Sequence, residues 1–426
     1  MGPVLVRRAL PRRWRAALLA GCIAVAAPAP ALAQVRPGSA PLGATVEGLL
    51  AAGRSLSPQL RAAALEREAA AAKASAAGAL DDPVLSENYQ RYRSGSLFSM
   101  NFITVTQTFP LWGKRDLRQQ AALAEVDAAR GRERAAGDEL DEQIKVAYAR
   151  YYAFTRALAV NKEVAALVQQ MRGAAAIRYG QGGGDQAGVL LALTEETSIA
   201  AEAVRLEAER LSAMARLNAL LARPASAPLA APQRLRPIPQ AGPTIDVLLA
   251  RAQAANPTLF ANGAEIRAAQ TQRRLADRAW YPDISVAAGP IVQTNAPTGF
   301  SATVSLSIPL QRDAKRAGER EAAARLGAAE QRYDATVASL QGALGEALAR
   351  LDAARRIEGL LRRQALPQAR AAYRSMLAGY GQGRGDLGAV HAAERRVHDV
   401  TLELLRTETD QQGALAAIER LIGGDL

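Results

Sequence analysis

The sequence predicts a mainly α-helical fold with a smaller membrane β-barrel portion, in which long coiled-coil helices continue from the strands. Three observations lead to this fold class. The two halves of the chain match each other at a nearly constant offset, which indicates two structural repeats. Each half contains a long segment with heptad-spaced apolar residues, typical of coiled-coil helices. Each half also contains segments of about ten residues in which apolar and polar side chains alternate, as in membrane-spanning strands.

The overall composition is that of a helix-rich chain. Of 426 residues, 49% are hydrophobic but only 4% are aromatic, because alanine supplies much of the apolar content. The formal net charge is +12, yet the basic residues are scattered and form no stripe with interleaved aromatic side chains. We therefore expect no nucleic-acid partner.

The first segment, residues 1–33, has the pattern of a signal peptide for export. Arginines precede an apolar run over residues 16–27, and Ala31-Leu32-Ala33 supplies a small-residue cleavage site. A permanent membrane helix is the alternative, but Pro28 ends the run well short of the ~20 apolar residues that a span requires. We expect cleavage after Ala33 and a mature protein outside the cytoplasm.

Cys22 is the only cysteine and lies inside this first segment. Cleavage after Ala33 leaves a mature chain with no disulfide, thiol nucleophile or thiolate ligand. Leu19-Ala20-Gly21-Cys22 also resembles a bacterial lipoprotein cleavage box, so lipidation of Cys22 is the alternative fate of the segment.

Two repeats follow. The start of the first, Thr45–Leu50, recurs in the second as Thr244–Leu249. Further residues recur at nearly the same spacing: Pro58 as Pro257, Pro83 as Pro282, Pro110 as Pro309, and Tyr179 as Tyr380. We expect a first repeat at residues 34–222 and a second at residues 244–426. The proline-rich linker between them, residues 223–243, can continue neither a helix nor a central strand.

Each repeat is predicted to contain a helix, a β-hairpin, a very long helix, a glycine turn and a long helix. Residues 113–171 contain no proline, and at 1.5 Å per residue such a helix reaches ~90 Å. Its apolar stripe consists of Leu140, Ile144, Ala147, Tyr151, Phe154 and Leu158. The equivalent stripe of the second repeat consists of Val337, Leu340, Leu344, Ala347, Leu351 and Ala354. We expect Pro367 to break or kink the second long helix.

The predicted hairpins lie at residues 84–109 and 284–308, and each strand is long enough to cross a bilayer when tilted. In the second hairpin, serine and threonine alternate with Phe300, Ala302, Val304, Leu306 and Ile308. In the first, Ser99 and Asn101 alternate with Phe98, Met100 and Phe102. The aromatic candidates for the membrane interface are Tyr89, Tyr92, Phe98, Phe102, Trp112 and Phe300. The alternative is a soluble four-stranded sheet packed on the helices.

Two hairpins give four strands per chain, which cannot close a barrel by themselves. A sheet edge exposed to lipid is not tolerated, so spanning strands require several copies of the chain. Eight strands enclose only packed side chains, whereas about twelve leave a lumen. We expect a homotrimer whose twelve-stranded barrel lies in membrane lipid and continues into a helical barrel.

At this point the chain resembles the outer membrane efflux protein family, the TolC-like channels. The resemblance rests on Val105–Arg115, which leaves the first hairpin, on Val304–Leu310, which leaves the second, and on the Tyr-Gly-Gln-Gly turns at 179–182 and 380–383. It implies a trimeric channel in the outer membrane of a Gram-negative bacterium that extends into the periplasm. It also implies a passive exit duct for a tripartite efflux system, with a periplasmic adaptor and an inner-membrane transporter as partners.

The cargo implied by the resemblance is either heavy-metal cations or drugs. The segment Phe109–Arg115 is closer to the metal-efflux branch than to the drug-efflux branch. Within the same architecture, the alternative is an outer-membrane duct for type I protein secretion. From a different class, the alternative is a periplasmic coiled-coil adaptor or scaffold, which carries one helical hairpin flanked by compact sheet domains.

The glycine turns are expected at the periplasmic tip of the channel. Asp185 and Asp386 are the acidic candidates for a gate there, with helix N-capping as the alternative role. The positions that carry the family's acidic ring read Ala389, Val390, His391 and Ala392 in this chain. The candidate turn residues for contact with an adaptor are Tyr179, Gly180, Gly182, Tyr380, Gly381 and Gly383.

The remaining patterns do not indicate catalysis. Residues 383–388 fit the dinucleotide-binding glycine pattern, but a helix rather than a strand precedes them. His391 and His398 lie ~10 Å apart on one helix face, too far to share an ion within one chain, and we expect both at the surface. With no catalytic pair or metal cluster evident, we expect no enzyme activity, no cofactor and no bound metal.

Overall fold

A computed structural model describes residues 41–94, 96–182, 186–239, 243–294 and 296–426 of the chain. The predicted signal peptide at residues 1–33, with Cys22, lies outside the described residues, and so does Asp185. The predictions for these residues stay predictions.

The same order of elements occurs in both halves of the described chain. The first half contains α1 (Val46–Leu56), α2 (Pro58–Ala77), β1 (Val84–Ser94), β2 (Ser96–Phe109), α3 (Lys114–Gly180) and α4 (Gln186–Leu220). The second half contains α5 (Ile245–Ala255), α6 (Pro257–Asp277), β3 (Ile284–Gln293), β4 (Gly299–Leu306), α7 (Arg312–Leu360), α8 (Leu366–Gly381) and α9 (Leu387–Ile422). None of the described helices is both long and apolar enough to cross a membrane.

The first predicted helix of each repeat is in fact two helices. Proline disfavours helical geometry in the residue before it, and Ser57 and Asn256 adopt extended backbone ahead of Pro58 and Pro257. Each proline then occupies the first turn of the following helix, where its missing N–H costs nothing. The prediction of a single helix at these positions is wrong for this local steric reason.

The two longest helices carry the hydrophobic core. α3 has 67 residues, about 100 Å at 1.5 Å per residue, and α7 has 49. One cluster packs α3 against α1 and α4, and a second packs α7 against α5 and α9. Most residues of the predicted heptad stripes are buried: Leu140, Ile144, Ala147, Tyr151, Leu340, Leu344, Ala347, Leu351 and Ala354.

The second long helix is distorted close to Pro367, as the sequence predicts. A five-residue π-helix, Leu361–Ala365, separates α7 from α8, and Pro367 follows at the second residue of α8. Proline has no N–H for the carbonyl four residues earlier, and its ring clashes with that carbonyl, so the preceding turn widens. α3 contains no such interruption.

A buried ion-pair network joins the two halves near the C-terminus. Lys145 of α3 contacts Glu419 of α9 at 2.8 Å, and both side chains are 5% exposed. Arg236 from the linker contacts the same carboxylate at 2.8 Å. Lys145 also donates to Asp425 at 2.6 Å, and this hydrogen bond lowers the pKa of Asp425. The linker therefore does more than connect the repeats, since it supplies one cation of their shared buried network.

Candidate functional site

The described strands form one antiparallel sheet in the order β1-β2-β3-β4, so the hairpins of both repeats lie side by side. β2 pairs with β3 from Met100↔Gln293 to Phe109↔Ile284. At Gly289 the two strands approach so closely that a Cβ would overlap the carbonyl oxygen of Ile103. β1 and β4 each have one partner strand, and within the described chain their outer edges are unpaired.

One face of this sheet is exposed and mainly apolar, although Glu87, Arg91 and Gln107 also lie on it. Side chains alternate between faces along a strand, and paired residues share a face. The register therefore groups these large apolar residues on one face: Leu85, Tyr89, Ile103, Val105, Phe109, Val286, Val292, Phe300, Val304 and Leu306. Phe300 and Val304 are each 73% exposed. Exposed apolar area of this extent marks a surface that another apolar phase covers.

The opposite face is mainly polar. Ser86 and Thr104 share a hydrogen bond of 2.8 Å across β1 and β2, and Thr108 and Ser285 share one of 3.0 Å across β2 and β3. The other polar residues of this face include Asn88, Gln90, Thr106, Ser301, Thr303 and Ser305. The sheet thus has one face suited to lipid and one suited to water.

The register corrects part of the sequence prediction. Met100 and Phe102 lie on the same face as Thr104, so the prediction that they belong to the apolar face is wrong. The apolar residues of β2 therefore do not all lie on one face. On the face of Ile103, Val105 and Phe109, the positions before Ile103 are the polar residues Ser99 and Asn101. Ile308 lies beyond the end of β4.

Three of the other aromatic candidates can be placed. Tyr89 and Phe300 lie on the apolar face, and both are exposed. Trp112 lies beyond β2 and is half exposed. Tyr92 and Phe98 are paired across β1 and β2, but their side chains fall outside the described part.

Trp112 belongs to the junction where the first hairpin leads into α3. It adopts the left-handed conformation with φ of 61°, and Gly113 follows with φ of 73°. The indole N–H of Trp112 donates to the carbonyl of Pro282 at 2.9 Å, and its ring lies 5.2 Å from that of Tyr281. These contacts hold the exit of the first hairpin against the entry to the second.

Lys114 completes this junction. It is 7% exposed, and its ammonium donates to Asp283 at 2.8 Å and to the carbonyl of Tyr281 at 2.7 Å. Asp283 also accepts from the backbone N–H of Leu111 at 3.1 Å. The segment Phe109–Arg115, which is part of the Val105–Arg115 stretch that supports the family resemblance, therefore fixes the two hairpins relative to α3.

The Tyr-Gly-Gln-Gly turns end α3 and α8. Gly182 and Gly383 adopt φ of 74° and 78°, the left-handed conformation that glycine takes readily after a helix. Arg178 donates to the carbonyl of Tyr380 at 3.2 Å and lies 4.5 Å over its ring, so the two turns are neighbours. Tyr179 is half exposed, whereas its repeat equivalent Tyr380 is buried.

Asp386, the acidic candidate that the structure describes, precedes α9. It has the extended backbone of an N-cap residue, but its side chain makes no capping hydrogen bond. The next residue, Leu387, is buried in a cluster with Tyr380 and Val390. The carboxylate at this turn is therefore not used to satisfy the helix end.

Close to these turns, a cluster of ionisable side chains connects the two repeats. His391 Nε2 lies 3.4 Å from Glu195 Oε2, and Glu394 lies on the same face of α9 as His391. The prediction that both histidines lie at the surface is wrong, since the side chains of His391 and His398 are 16% and 14% exposed. The His-x-x-Glu spacing on α9 was visible in the sequence, but Glu195 on α4 joins it only through tertiary packing.

Glu394 is the most strongly perturbed member of this cluster. It is 1% exposed, and burial raises its pKa to about 7, with a further contribution from the negative charge of Glu195. Burial also raises the pKa of Tyr373 on α8, and the charge of Glu394 raises it further. The cluster therefore places two carboxylates and an imidazole in a weakly polar interior.

Comparison with known proteins identifies the fold. The sequence profile of the family described as "Outer membrane efflux protein" matches residues 49–223 and 248–424, one match in each half. No curated protein is significantly similar to the chain in sequence.

Solved structures of outer-membrane channels share this architecture. The outer-membrane channel OprN superposes with a TM-score of 0.79 at 20% identity, covering 89% of this chain and 90% of its own. VceC from Vibrio cholerae superposes with a TM-score of 0.77 at 20% identity, and the match covers 89% of this chain and 96% of VceC. The MtrE channel of Neisseria gonorrhoeae superposes with a TM-score of 0.74 at 18% identity, and the match covers 89% of each chain.

Proposed function

Because the chain belongs to the outer membrane efflux protein family, we propose that three copies of it form the passive outer-membrane duct of a tripartite efflux system. Substrate passes through the duct by diffusion, and the partner transporter supplies the energy. A periplasmic adaptor and an inner-membrane transporter are the partners of such a duct.

The sheet is the observation that carries this proposal. It exposes a mainly apolar face, lines the other face with hydroxyl and amide groups, and leaves the outer edges of β1 and β4 without a partner strand in the described part of the chain. In a bilayer, every backbone N–H and C=O must find a partner, which an open sheet cannot provide by itself. Pairing of β1 with β4 of the next copy satisfies these groups, and three copies give the twelve strands that enclose a lumen.

The helices supply the periplasmic part of the duct. α3 alone is about 100 Å long, far more than a compact domain requires, and it begins directly after the sheet. The paired turns at Gly182 and Gly383 lie at the opposite end of α3 from the sheet. We place the gate and the adaptor contacts at these turns, with Asp386 as the acidic candidate among the described residues.

Cysteine cross-linking across the sheet edges tests the trimer. We expect Asn88→Cys on β1 and Thr303→Cys on β4, both on the polar face, to form disulfide-linked dimers and trimers in outer membranes. Ser301 and Ser305 provide neighbouring positions on β4, which allow for the register between copies. Both predicted fates of Cys22, removal and acylation, leave no competing thiol.

The matched control pairs Thr104→Cys on β2 with Thr303→Cys on β4, because these strands are not neighbours within a chain. In a closed barrel they are also not neighbours between chains. If every β1–β4 cysteine pair gave only monomers, the proposed assembly would be contradicted. Cross-linking of the control pair to the same extent as the β1–β4 pairs would also contradict it.

Growth of a deletion strain identifies the cargo. We propose heavy-metal cations, on the resemblance of Phe109–Arg115 to the metal-efflux branch, and expect sensitivity confined to metal salts that the complementing gene reverses. Sensitivity to dyes and antibiotics instead would assign the duct to drug efflux. Unchanged growth together with loss of a secreted protein would assign it to type I secretion.

A further inference from the structure

We propose that Glu195, His391 and Glu394 form a binding site for a divalent transition-metal cation, and that the bound ion links the two repeats. Glu195 comes from α4 of the first repeat, and the other two residues come from α9 of the second. This site lies within one chain, and its existence does not depend on which cargo the duct carries.

The positions of the three side chains are compatible with one ion. Each residue offers one ligand atom, and these atoms all lie within 4.8 Å of one another. Ligands at about 2.0–2.2 Å from a tetrahedral Zn²⁺ are about 3.3–3.6 Å apart, and the His391–Glu195 distance is already 3.4 Å.

Polar atoms of this cluster also lack the hydrogen-bond partners that buried polar groups usually have. Both carboxylate oxygens of Glu394 are buried without a hydrogen-bond partner among the described residues, and so is Nδ1 of His391. In the same part of the chain, no lysine or arginine forms an ion pair with Glu195 or Glu394. A buried carboxylate is unfavourable unless it is neutralised or paired, and a bound cation both neutralises and coordinates it.

The ligand set indicates the class of cation. One imidazole nitrogen and two carboxylate oxygens suit zinc and the neighbouring first-row divalent ions, whereas Ca²⁺ and Mg²⁺ prefer oxygen ligands alone. Because Glu195 and His391 follow the starts of their helices by only a few turns, the ion fixes α4 to α9 close to the paired turns.

Zinc retention by the purified trimer tests the site. The protein carries an affinity tag without histidine, is stripped with a chelator in detergent, loaded with Zn²⁺ and dialysed. We expect one zinc per chain by mass spectrometry and a higher thermal midpoint with zinc than without it. Glu394→Gln and His391→Ala should each weaken zinc binding roughly 10-fold or more, since even the loss of a residue behind the ligands costs 10- to 100-fold.

His398→Ala is the matched control, because it removes the other half-buried histidine of α9 from outside the cluster. It should retain zinc like the wild type. Glu394→Gln keeps the shape of the side chain and removes a buried charge, so we expect it to assemble without metal. Wild-type protein that retains no more zinc than Glu394→Gln would overturn the proposal, and so would equal loss from His398→Ala.

Discussion

Gly289 shows how one residue can control the formation of the sheet. Its Cα lies where a side chain would overlap the main-chain oxygen of Ile103 on β2, and a main-chain atom cannot move aside without breaking the strand pairing. Gly289 is therefore required by the close approach of β2 and β3, the two strands that join the repeats.

We expect Gly289→Ala to destabilise the protein by more than the about 1–3 kcal/mol that is typical of overpacking. The measurements are the yield of protein extracted from the membrane and its thermal midpoint in detergent. Gly299→Ala on β4 is the control, since its added Cβ would meet only the side chain of Ile291 at 3.8 Å. Equal behaviour of the two variants would show that β2 and β3 can separate at this point.

At the residue scale, sequence reasoning succeeds where local spacing decides and fails where a distant segment decides. The alternation in β4 places Phe300 and Val304 correctly, because the whole strand keeps one period. Phe102 is assigned to the wrong face because the alternation of β2 changes phase. His391 was expected at the surface because Glu195, its neighbour in space, is far away in the sequence.

Asn256 shows how one side chain can define the boundary of an element. Its side-chain oxygen accepts from the backbone N–H groups of Thr258 and Leu259 at 2.9 and 3.0 Å, and its amide donates to the carbonyl of Leu421 at 2.9 Å. It thus caps α6 and also ties that helix to the end of α9.

Asn256→Ala should cost about 2–4 kcal/mol, the sum of a lost cap and a buried hydrogen bond. The equivalent residue of the first repeat, Ser57, precedes Pro58 in the same geometry but makes no side-chain cap. Ser57→Ala therefore serves as the control and should change stability by less than about 0.5 kcal/mol. Chemical unfolding followed by circular dichroism compares the two, and a similar loss from both would refute the capping role.

At the element scale, the long helices and the hairpins follow from periodicity alone, and Pro367 correctly predicts the distortion before α8. The breaks at Pro58 and Pro257 were missed although both prolines were recognised as repeat landmarks. A proline is compatible both with the interior of a kinked helix and with the first turn of a new one. The extended backbone of Ser57 and Asn256 shows that a new helix begins at each of these prolines.

The buried network around Glu419 acts on the whole molecule, because it joins α3, the linker and α9. Glu419→Gln leaves Arg236 without its carboxylate partner and Lys145 with Asp425 alone, so we expect a loss of up to about 3–5 kcal/mol. Glu403→Gln is the control, since its ion pair with Arg406 is exposed and worth about 0–1 kcal/mol. The measurement is the thermal midpoint in detergent. Equal shifts for the two variants would show that Glu419 contributes no more than an exposed ion pair.

The repeat organisation of the whole molecule is readable in the sequence, because duplicated turns and prolines survive where the other residues differ. The contribution of the linker was not readable. Residues 223–243 look like a passive connection, yet Arg236 reaches the network and Tyr148 donates to the backbone carbonyl of Arg234 at 3.0 Å. Such contacts depend on how the folded halves meet, which no local pattern encodes.

The outer edges of β1 and β4, which have no partner strand among the described residues, also have a genetic consequence. In the proposed trimer each β1 edge pairs with a β4 edge, so every copy in the closed ring depends on both neighbours. A copy with a damaged β1 still offers an intact β4, so it enters assemblies and prevents them from closing. When it is expressed equally with the normal copy, roughly one trimer in eight contains normal copies only. The proposed assembly therefore predicts that a variant damaged at one strand edge is dominant over the normal copy.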